Sequence, residues 1–364
     1  MKVKEIISEL EEWAPKAYQE SYDNSRLICG DASQDCSGVL ISLDCTEEIV
    51  DEAIALGCNI IVSHHPIFFR KISSLTGKNY VERVLIKAIK NDVCLYALHT
   101  NLDNVDTGVS RKIAEKLGLE GGRILQAKQG LLSKLILYGT PADIEKMRTA
   151  VFSVGGGRIG NYSECSFRHP GLGTFKPLEG SNPTLGTKNK QEQVDEHRCE
   201  IVVPKHLISS CLSAARNASS YEELAYDVIS MENENQFVGS GWVANLPQTL
   251  SPEELMATLK DKFKAQGIRF SGNTNREIRK VAVCGGSGFF LLEAAKASGA
   301  QAFITSDVKY HQFFDAENDI LLVDIGHYES EQFTVELIGD YLKRKFPTFA
   351  VRLTSKNTNP VNYF

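Results

Sequence analysis

Apolar and polar positions alternate in two regions of the chain with the same rhythm. Between residues 26 and 117, apolar runs at 38–44, 59–63 and 93–98 are separated by amphipathic, helix-length stretches at 46–56, 80–90 and 107–117. Short apolar runs bounded by polar turns read as buried strands, and the longer periodic stretches as helices packed on a sheet. The succession returns at 280–284, 288–298, 302–305, 308–316, 320–323 and 328–343. Alternating strands and helices predict an α/β fold in two similar halves.

Placing Gly57 on Gly299 sets EAIALGCNIIVSHH beside EAAKASGAQAFITSD, so that Ala53 meets Ala295 and the runs 60–63 and 302–305 coincide. Helix, glycine stop and strand is a common succession, so the match has two readings: chance, or a repeat that sets one site between pseudo-equivalent halves. The middle of the chain differs. It opens with the strand-like KLILYG and a helix-like run, then becomes rich in Gly, Ser, Asn and Pro over 155–190, a stretch that reads as a loop. A strand at 199–203, a helix at 206–215 and a strand at 225–229 follow, completing a short α+β unit. The expected organisation is a first part of the α/β domain at 1–127, an insert at 128–238 and a second part at 239–364.

The length of 364 residues with 42% hydrophobic content fits two or three packed units. A net charge of −6 argues against a surface built for nucleic acid or anionic lipid. No apolar run approaches the roughly 18 to 20 residues of a membrane span, and the amphipathic, acidic start is unlike a signal peptide; the expectation is a cytoplasmic protein. Nine cysteines with no C-x-x-C pair read as reduced thiols packed as small hydrophobes.

Candidate chemistry gathers at strand ends. The run 60–62 leads into Ser63, His64, His65 and Pro66, two adjacent imidazoles at the carboxyl end of a buried strand, where crevices form in open α/β sheets. Strand neighbours point to opposite faces, but Pro66 disfavours helix at His65 and marks where the chain leaves the sheet, so both rings can turn into one crevice. A lone histidine is more often structural; an adjacent pair at a strand end favours a metal. The run 94–98 leads to His99 and Asp103, the latter a bridging or terminal carboxylate, with a turn or helix cap as the plainer reading. The run 320–323 leads to His327 and Glu331, whose spacing of four stacks them on one helix face. Three histidines and two carboxylates form one coherent set, and mixed nitrogen and oxygen donors favour Zn²⁺, Mn²⁺ or Fe²⁺ over Ca²⁺. Two such ions about 3.5 to 4 Å apart suit hydrolysis of an oxygen-rich substrate.

Three softer signals remain. CGGSG at 284–288 joins a strand to a helix and could present amides to a phosphate, although a tight turn is the plainer reading. TSDVKYH at 305–311 offers Lys309 as an anion partner and His311 as a proton donor or acceptor, or else a solvated helix start. GGGRIG at 155–160 lacks the terminal Lys-Ser/Thr of a P-loop.

Taken together, SHHP at 63–66, HTNLD at 99–103, CGGSG, TSDVKYH and GHYESE at 326–331 resemble, over nearly the whole chain, the dinuclear-metal family of GTP cyclohydrolase I type 2 homologues, the interacting-factor-3-like proteins. The resemblance implies two divalent ions per subunit, zinc first and manganese or iron as alternatives, held by His64, His65, Asp103, His327 and Glu331. It implies that the insert is the PII-like or CutA-like, ferredoxin-like α+β domain of the long bacterial form, and that subunits assemble as a toroidal homohexamer. One departure is TSD where many members carry TGD, outside the ligand set.

The function expected is a metal-dependent hydrolase that opens the guanine ring of GTP with release of formate, His99 or His311 moving protons. The H-x-E and P-C-x-x-C signature of zinc deaminases is absent, as is a clear triphosphate clamp, so another nucleotide or a phosphoester suits the same site. A non-enzymatic, metal-loaded ring whose insert recruits a partner is the third reading.

Overall fold

In the computed structural model, which describes residues 1–70 and 72–364, the chain divides into two compact units, Met1–Gln126 with Val238–Phe364 and Ala127–Phe237. The first unit is built on two sheets. In one, the strands Val39–Ser42, Ile60–Ser63 and Cys94–Ala97 lie parallel and adjacent, with Leu27–Cys29 antiparallel beside Cys94–Ala97 and Val351–Leu353 parallel beside Val39–Ser42. In the other, Ile278–Val283, Ala302–Thr305 and Leu321–Asp324 lie parallel and adjacent, with Arg269–Gly272 antiparallel beside Leu321–Asp324. Asn235–Leu250 and Glu120–Lys128 extend that sheet on its far side. Each sheet therefore runs antiparallel edge strand, then third, second and first parallel strand, and the runs 60–63 and 302–305 occupy the same middle position.

The apolar runs explain this arrangement. Every residue of Val39–Ser42, Ile60–Ser63 and Cys94–Ala97 is buried, as expected of parallel strands covered on both faces. Leu40, Ile61 and Leu95 pack against Ile49 and Ala53 of the helix Glu47–Ala55 and Val84 and Ala88 of the helix Tyr80–Lys90. Thr46 and Asn79 cap those helices by accepting from the amides of Ile49 and Glu82. A matching core joins Ala282, Phe303 and Leu322 to Ala295 and Leu291. Burying a side chain of this size contributes about 1.5 to 3 kcal/mol, so each core holds its strand ends firmly in place.

The second unit is a four-stranded antiparallel sheet in the order Phe167–Phe175, Glu192–Pro204, Leu132–Gly139, Tyr226–Met231. Residues of the helices Pro141–Ser153 and Ile208–Ala218 close its core with Leu135, Leu137, Cys199 and Ile201. The chain order β-α-β-β-α-β makes it a split β-α-β arrangement. One expectation is corrected: the stretch read as a loop over 155–190 contains the strand Phe167–Phe175, paired residue for residue with Glu192–Pro204. FRHPGLGTF has no apolar alternation because it is an exposed edge strand, the place where Pro170 is tolerated. Two helical readings also change: 308–316 is the 3₁₀ segment Tyr310–Ala316, and 328–343 is two helices, His327–Glu331 and Thr334–Lys345. Among the described residues no helix is long and apolar enough to cross a membrane, and all nine cysteines are free.

Candidate metal centre

The carboxyl ends of the parallel strands in both sheets of the first unit open on one cleft of about 1280 Å³, lined among others by His65, His99, Asp103, His327 and Glu331. His64 and His65 follow directly on Ile60–Ser63, and their amides donate to the carbonyls of Ser42 and Leu43 on the neighbouring strand. Beyond Ser63 the alternation of faces stops, and the two rings converge with centroids 5.0 Å apart. Each ring has one nitrogen fixed. His64 Nδ1 lies 2.9 Å from the Leu98 carbonyl oxygen, His65 Nδ1 2.7 Å from Asp44 Oδ1, and His327 Nδ1 2.6 Å from Asp307 Oδ2. These acceptors make Nδ1 the protonated nitrogen and leave Nε2 as the donor atom, the arrangement that orients histidines at metal sites.

The free atoms form two groups that share one carboxylate. His65 Nε2 and His327 Nε2 lie 2.9 and 3.0 Å from Glu331 Oε2 and 3.3 Å from each other. His64 Nε2 lies 3.7 Å from Asp103 Oδ1 and 3.7 Å from Glu331 Oε1. The second set of distances is too long for hydrogen bonds, and His64 Nε2 and Asp103 Oδ1 are buried without any hydrogen-bond partner. Leaving such groups unmatched costs about 1 to 3 kcal/mol each. Donors about 2.0 to 2.2 Å from a tetrahedral ion sit about 3.3 to 3.6 Å apart; the His64 pairs and the His65–His327 pair lie close to that spacing, whereas the two contacts to Glu331 Oε2 are at hydrogen-bond distance and would have to lengthen around an ion. His64, Asp103 and Glu331 form one such group, His65, His327 and Glu331 another, and His64, His65 and His99 a third.

Glu331 reaches this position because the short helix His327–Glu331 follows Leu321–Asp324 and carries its first and last residues on one face. The short helix Thr100–Asp103, with His99 at its N-cap, follows Cys94–Ala97 in the same manner, so His99 and Asp103 repeat the spacing of His327 and Glu331. CGGSG is the tight turn that makes room for it. A Cβ at Gly286, whose φ is +59°, would lie 2.3 Å from Glu331 Oε1, and the Gly286 amide donates to Ser330 Oγ at 3.0 Å. The Gly286 carbonyl accepts from Thr305 Oγ1 and from Ser306 Oγ, at 3.0 and 2.6 Å, so the serine of TSD is a buried tie to this turn. Asp307 adopts φ of +56°, a left-handed conformation that Asp tolerates better than most residues and that aims its carboxylate at His327.

His99 stands beside the cluster with its ring 5.2 Å from that of His64 and 5.5 Å from that of His65, and its Nδ1 bonds Asp23 Oδ1 at 2.8 Å. Asp23 also accepts from Ser25 Oγ and from the amide and hydroxyl of Thr100. His311 is placed elsewhere. It is exposed on Tyr310–Ala316, its ring against Tyr310 and Phe314, and it is not among the residues lining the cleft. Sequence reasoning missed Asp23, Asp44 and Asp307, the carboxylates behind the histidines. Asp44 and Asp307 each stand two residues past a parallel strand, Val39–Ser42 and Ala302–Thr305, a repeated position that could have drawn attention to them.

Burial opposes charge on these histidines, but the carboxylates prevail. His65 is raised to about 9, against burial, by Asp44 and Glu331, and His327 to about 11 by Asp307 and Glu331. His64 is raised by Asp103 and Glu331 despite burial. Glu331 is held well below the carboxylate range, again against burial, by the three histidines, whereas burial and the Glu331 charge push Asp103 up. A folded-state pKa above the unfolded value of 6.5 gives stability that is present below pH 6.5 and is lost as pH rises through about 9 and about 11. Ligation needs neutral imidazole, so ion uptake at pH 7 must release protons. Two results follow: Zn²⁺ titration in buffers of different ionisation enthalpy reports net proton release, and the gap in Tm between Zn²⁺-loaded and metal-free protein widens from pH 6 to pH 9. A gap independent of pH would exclude protonated His65 and His327 in the metal-free protein.

Residues 1–360 match the Duf34/NIF3 (NGG1p interacting factor 3) family. The chain is 36% identical over 363 residues to a GTP cyclohydrolase 1 type 2 homolog of Halalkalibacterium halodurans, covering 98% of both chains. It is 34% identical to the protein of the same name in Bacillus subtilis, covering 99% of this chain and 98% of that one. Among solved structures, the Bacillus cereus protein related to NIF3 is 32% identical and superposes with a TM-score of 0.87, covering 100% of this chain and 99% of that one.

Proposed function

The chain belongs to the Duf34/NIF3 family, and we propose that it holds two divalent metal ions in this cleft and acts as a metal-dependent hydrolase. The observation that carries the reading is Glu331, which sends Oε1 to the group of His64 and Asp103 and Oε2 to that of His65 and His327. One carboxylate with an oxygen in each group is the arrangement for a bridged pair of ions, and its imidazole and carboxylate partners suit Zn²⁺, Mn²⁺ or Fe²⁺. Bound there, such ions supply Lewis acidity and draw the pKa of water toward neutrality. The chain's own residues do the rest. His99, with Nδ1 engaged by Asp23, takes up or delivers a proton at Nε2 beside the cluster. Exposed rings of Tyr22, Phe69 and Phe290 line the cleft and offer flat faces to a planar base.

The name carried by the relatives points to GTP as substrate, opened at its imidazole ring with release of formate. One observation favours a second substrate class. Asp44, Asp103, Asp307, Asp324, Glu329 and Glu331 line the cleft, whereas Arg269, the cationic lining residue besides the histidines among the described residues, is already paired with Asp324. That charge balance suits a nucleotide or phosphoester with fewer charges than a triphosphate. The insert, in this reading, is the PII-like domain of the long bacterial form, and subunits assemble as a ring of six, tested by light scattering against six times 40.3 kDa.

The test of activity is formate release from GTP by Zn²⁺-, Mn²⁺- or Fe²⁺-reconstituted protein. Metal-dependent formate, lost in Asp103→Ala, establishes the GTP reaction. Turnover of a phosphodiester without formate assigns the second substrate class, and two bound ions with neither activity assigns a metal-loaded scaffold.

A further inference from the structure

The two donor groups are anchored differently. His64 takes its orientation from a main-chain carbonyl, that of Leu98, inside the buried end of a strand. His65 and His327 take theirs from side-chain carboxylates, Asp44 and Asp307, which are 33% and 49% exposed. An exposed carboxylate on a free rotor holds an imidazole loosely unless its own second oxygen is held. For Asp44 it is held: Thr358 Oγ1 donates to Asp44 Oδ2 at 2.6 Å.

Thr358 belongs to the irregular segment 354–363, which crosses from one half of the first unit to the other. At one end it continues the strand Val351–Leu353; the Thr354 amide donates to the Ile41 carbonyl, and Ser355 donates to Glu52 from its amide and its hydroxyl at 2.8 and 2.7 Å. Further on, Asn359 Nδ2 donates at 3.1 Å to Glu329 Oε1, on the same short helix as His327 and Glu331. Tyr363 then packs where a Cβ on Gly267 would meet its ring at 3.1 Å. The segment also lines two cavities, with Asn359, Val361 and Tyr363 in one and Lys356, Asn357 and Thr358 in the other. The main cleft and a second cavity of about 640 Å³ are both lined by Asp44, His65, Pro66, Tyr80 and Pro360.

We propose that Thr358 is a positioning residue for the ion subsite of His65, His327 and Glu331, acting through Asp44, and that segment 354–363 is the strap that keeps this subsite closed while the subsite of His64, Asp103 and Glu331 holds without it. The inference rests on the two-ion reading above. Its reach is through two hydrogen bonds in series, from Thr358 Oγ1 to Asp44 and from Asp44 to His65 Nδ1. Thr358→Val keeps the shape of the side chain and deletes the donor; Asp44 then turns freely and His65 loses its fixed tautomer and aim.

The experiment titrates metal-free full-length protein with Zn²⁺ by calorimetry, with zinc content checked after gel filtration, for wild type, Thr358→Val, Thr358→Ser and Asn359→Ala. Outer-shell partners of ligating histidines are typically worth 10- to 100-fold in metal affinity, so one step further out we expect about tenfold. In Thr358→Val one of two binding events weakens by about that factor; the other event and the Tm of the metal-free protein stay as in wild type. Thr358→Ser restores the weakened event, and Asn359→Ala, which frees the strap from Glu329, weakens the same event to a smaller degree. Wild type taking up fewer than two Zn²⁺ would sink the two-ion reading itself. Two events in wild type that are both unchanged, or both weakened equally, in Thr358→Val would overturn the positioning role.

Discussion

Glu331→Ala is expected to cost the site both ions of the proposed pair. Its two oxygens serve two different donor groups, so one substitution leaves His64 with Asp103 on one side and His65 with His327 on the other, two protein donors each. Structural sites need four ligands and catalytic sites three from the protein, so we expect each affinity to fall by more than the roughly 100-fold upper range of an outer-shell change. The effect on the fold is smaller. Removing one member of a buried ion pair costs about 3 to 5 kcal/mol when the remaining charge is trapped. Here the remaining charges are imidazolium groups that can release a proton, so the metal-free variant keeps its sheets and loses only the part of its pKa-linked stability that Glu331 supplies, while Asp44 and Asp307 still favour the charged rings. Zinc content after reconstitution, read beside the Tm of the metal-free form, separates the two effects. A variant that still carries two ions would exclude Glu331 as the bridge.

The second large effect is expected at Gly286. Alanine there must adopt φ of +59°, a left-handed conformation that costs an L residue about 1 to 2 kcal/mol. Its Cβ must also displace Glu331 Oε1, which would lie 2.3 Å away, with His327 Cε1 at 3.4 Å. The Glu331 side chain can move, so the clash is relieved by turning its carboxylate away from His64. Gly299→Ala is the matched control: φ is +77° and no atom lies within 4 Å of the added Cβ. Both variants should lose about 1 to 2 kcal/mol in urea unfolding, while Gly286→Ala alone should bind Zn²⁺ about tenfold or more weakly. Equal zinc affinity in the two would mean that the CGGSG turn does not shape the site.

The two units were legible to different degrees. The parallel strands are uninterrupted runs such as IIVS at 60–63 and AFIT at 302–305, whose pattern survives any context because both faces are buried. The antiparallel edge of the second unit was not legible. Phe167–Phe175 owes its extended form to the partner strand Glu192–Pro204 and to no periodicity of its own. Helix limits shifted where the chain serves the site: the single periodic stretch over 328–343 is broken after Glu331, and 308–316 tightens into a 3₁₀ segment behind the left-handed Asp307.

The sequence by itself determined which residue types could bind an ion and that they stand at strand ends, since imidazoles and carboxylates following apolar runs are visible without coordinates. It also determined that the two α/β stretches share a rhythm, because that rhythm is local. Only the tertiary structure decided that Glu331 rather than Asp103 has an oxygen in each donor group, and that His99 joins the cluster while His311 stays outside it. It alone showed Asp23, Asp44 and Asp307 behind the histidines and Thr358 behind Asp44. Those contacts bring together residues up to 314 positions apart, so the direction of a carboxylate is set by the packing of two sheets and no local pattern records it.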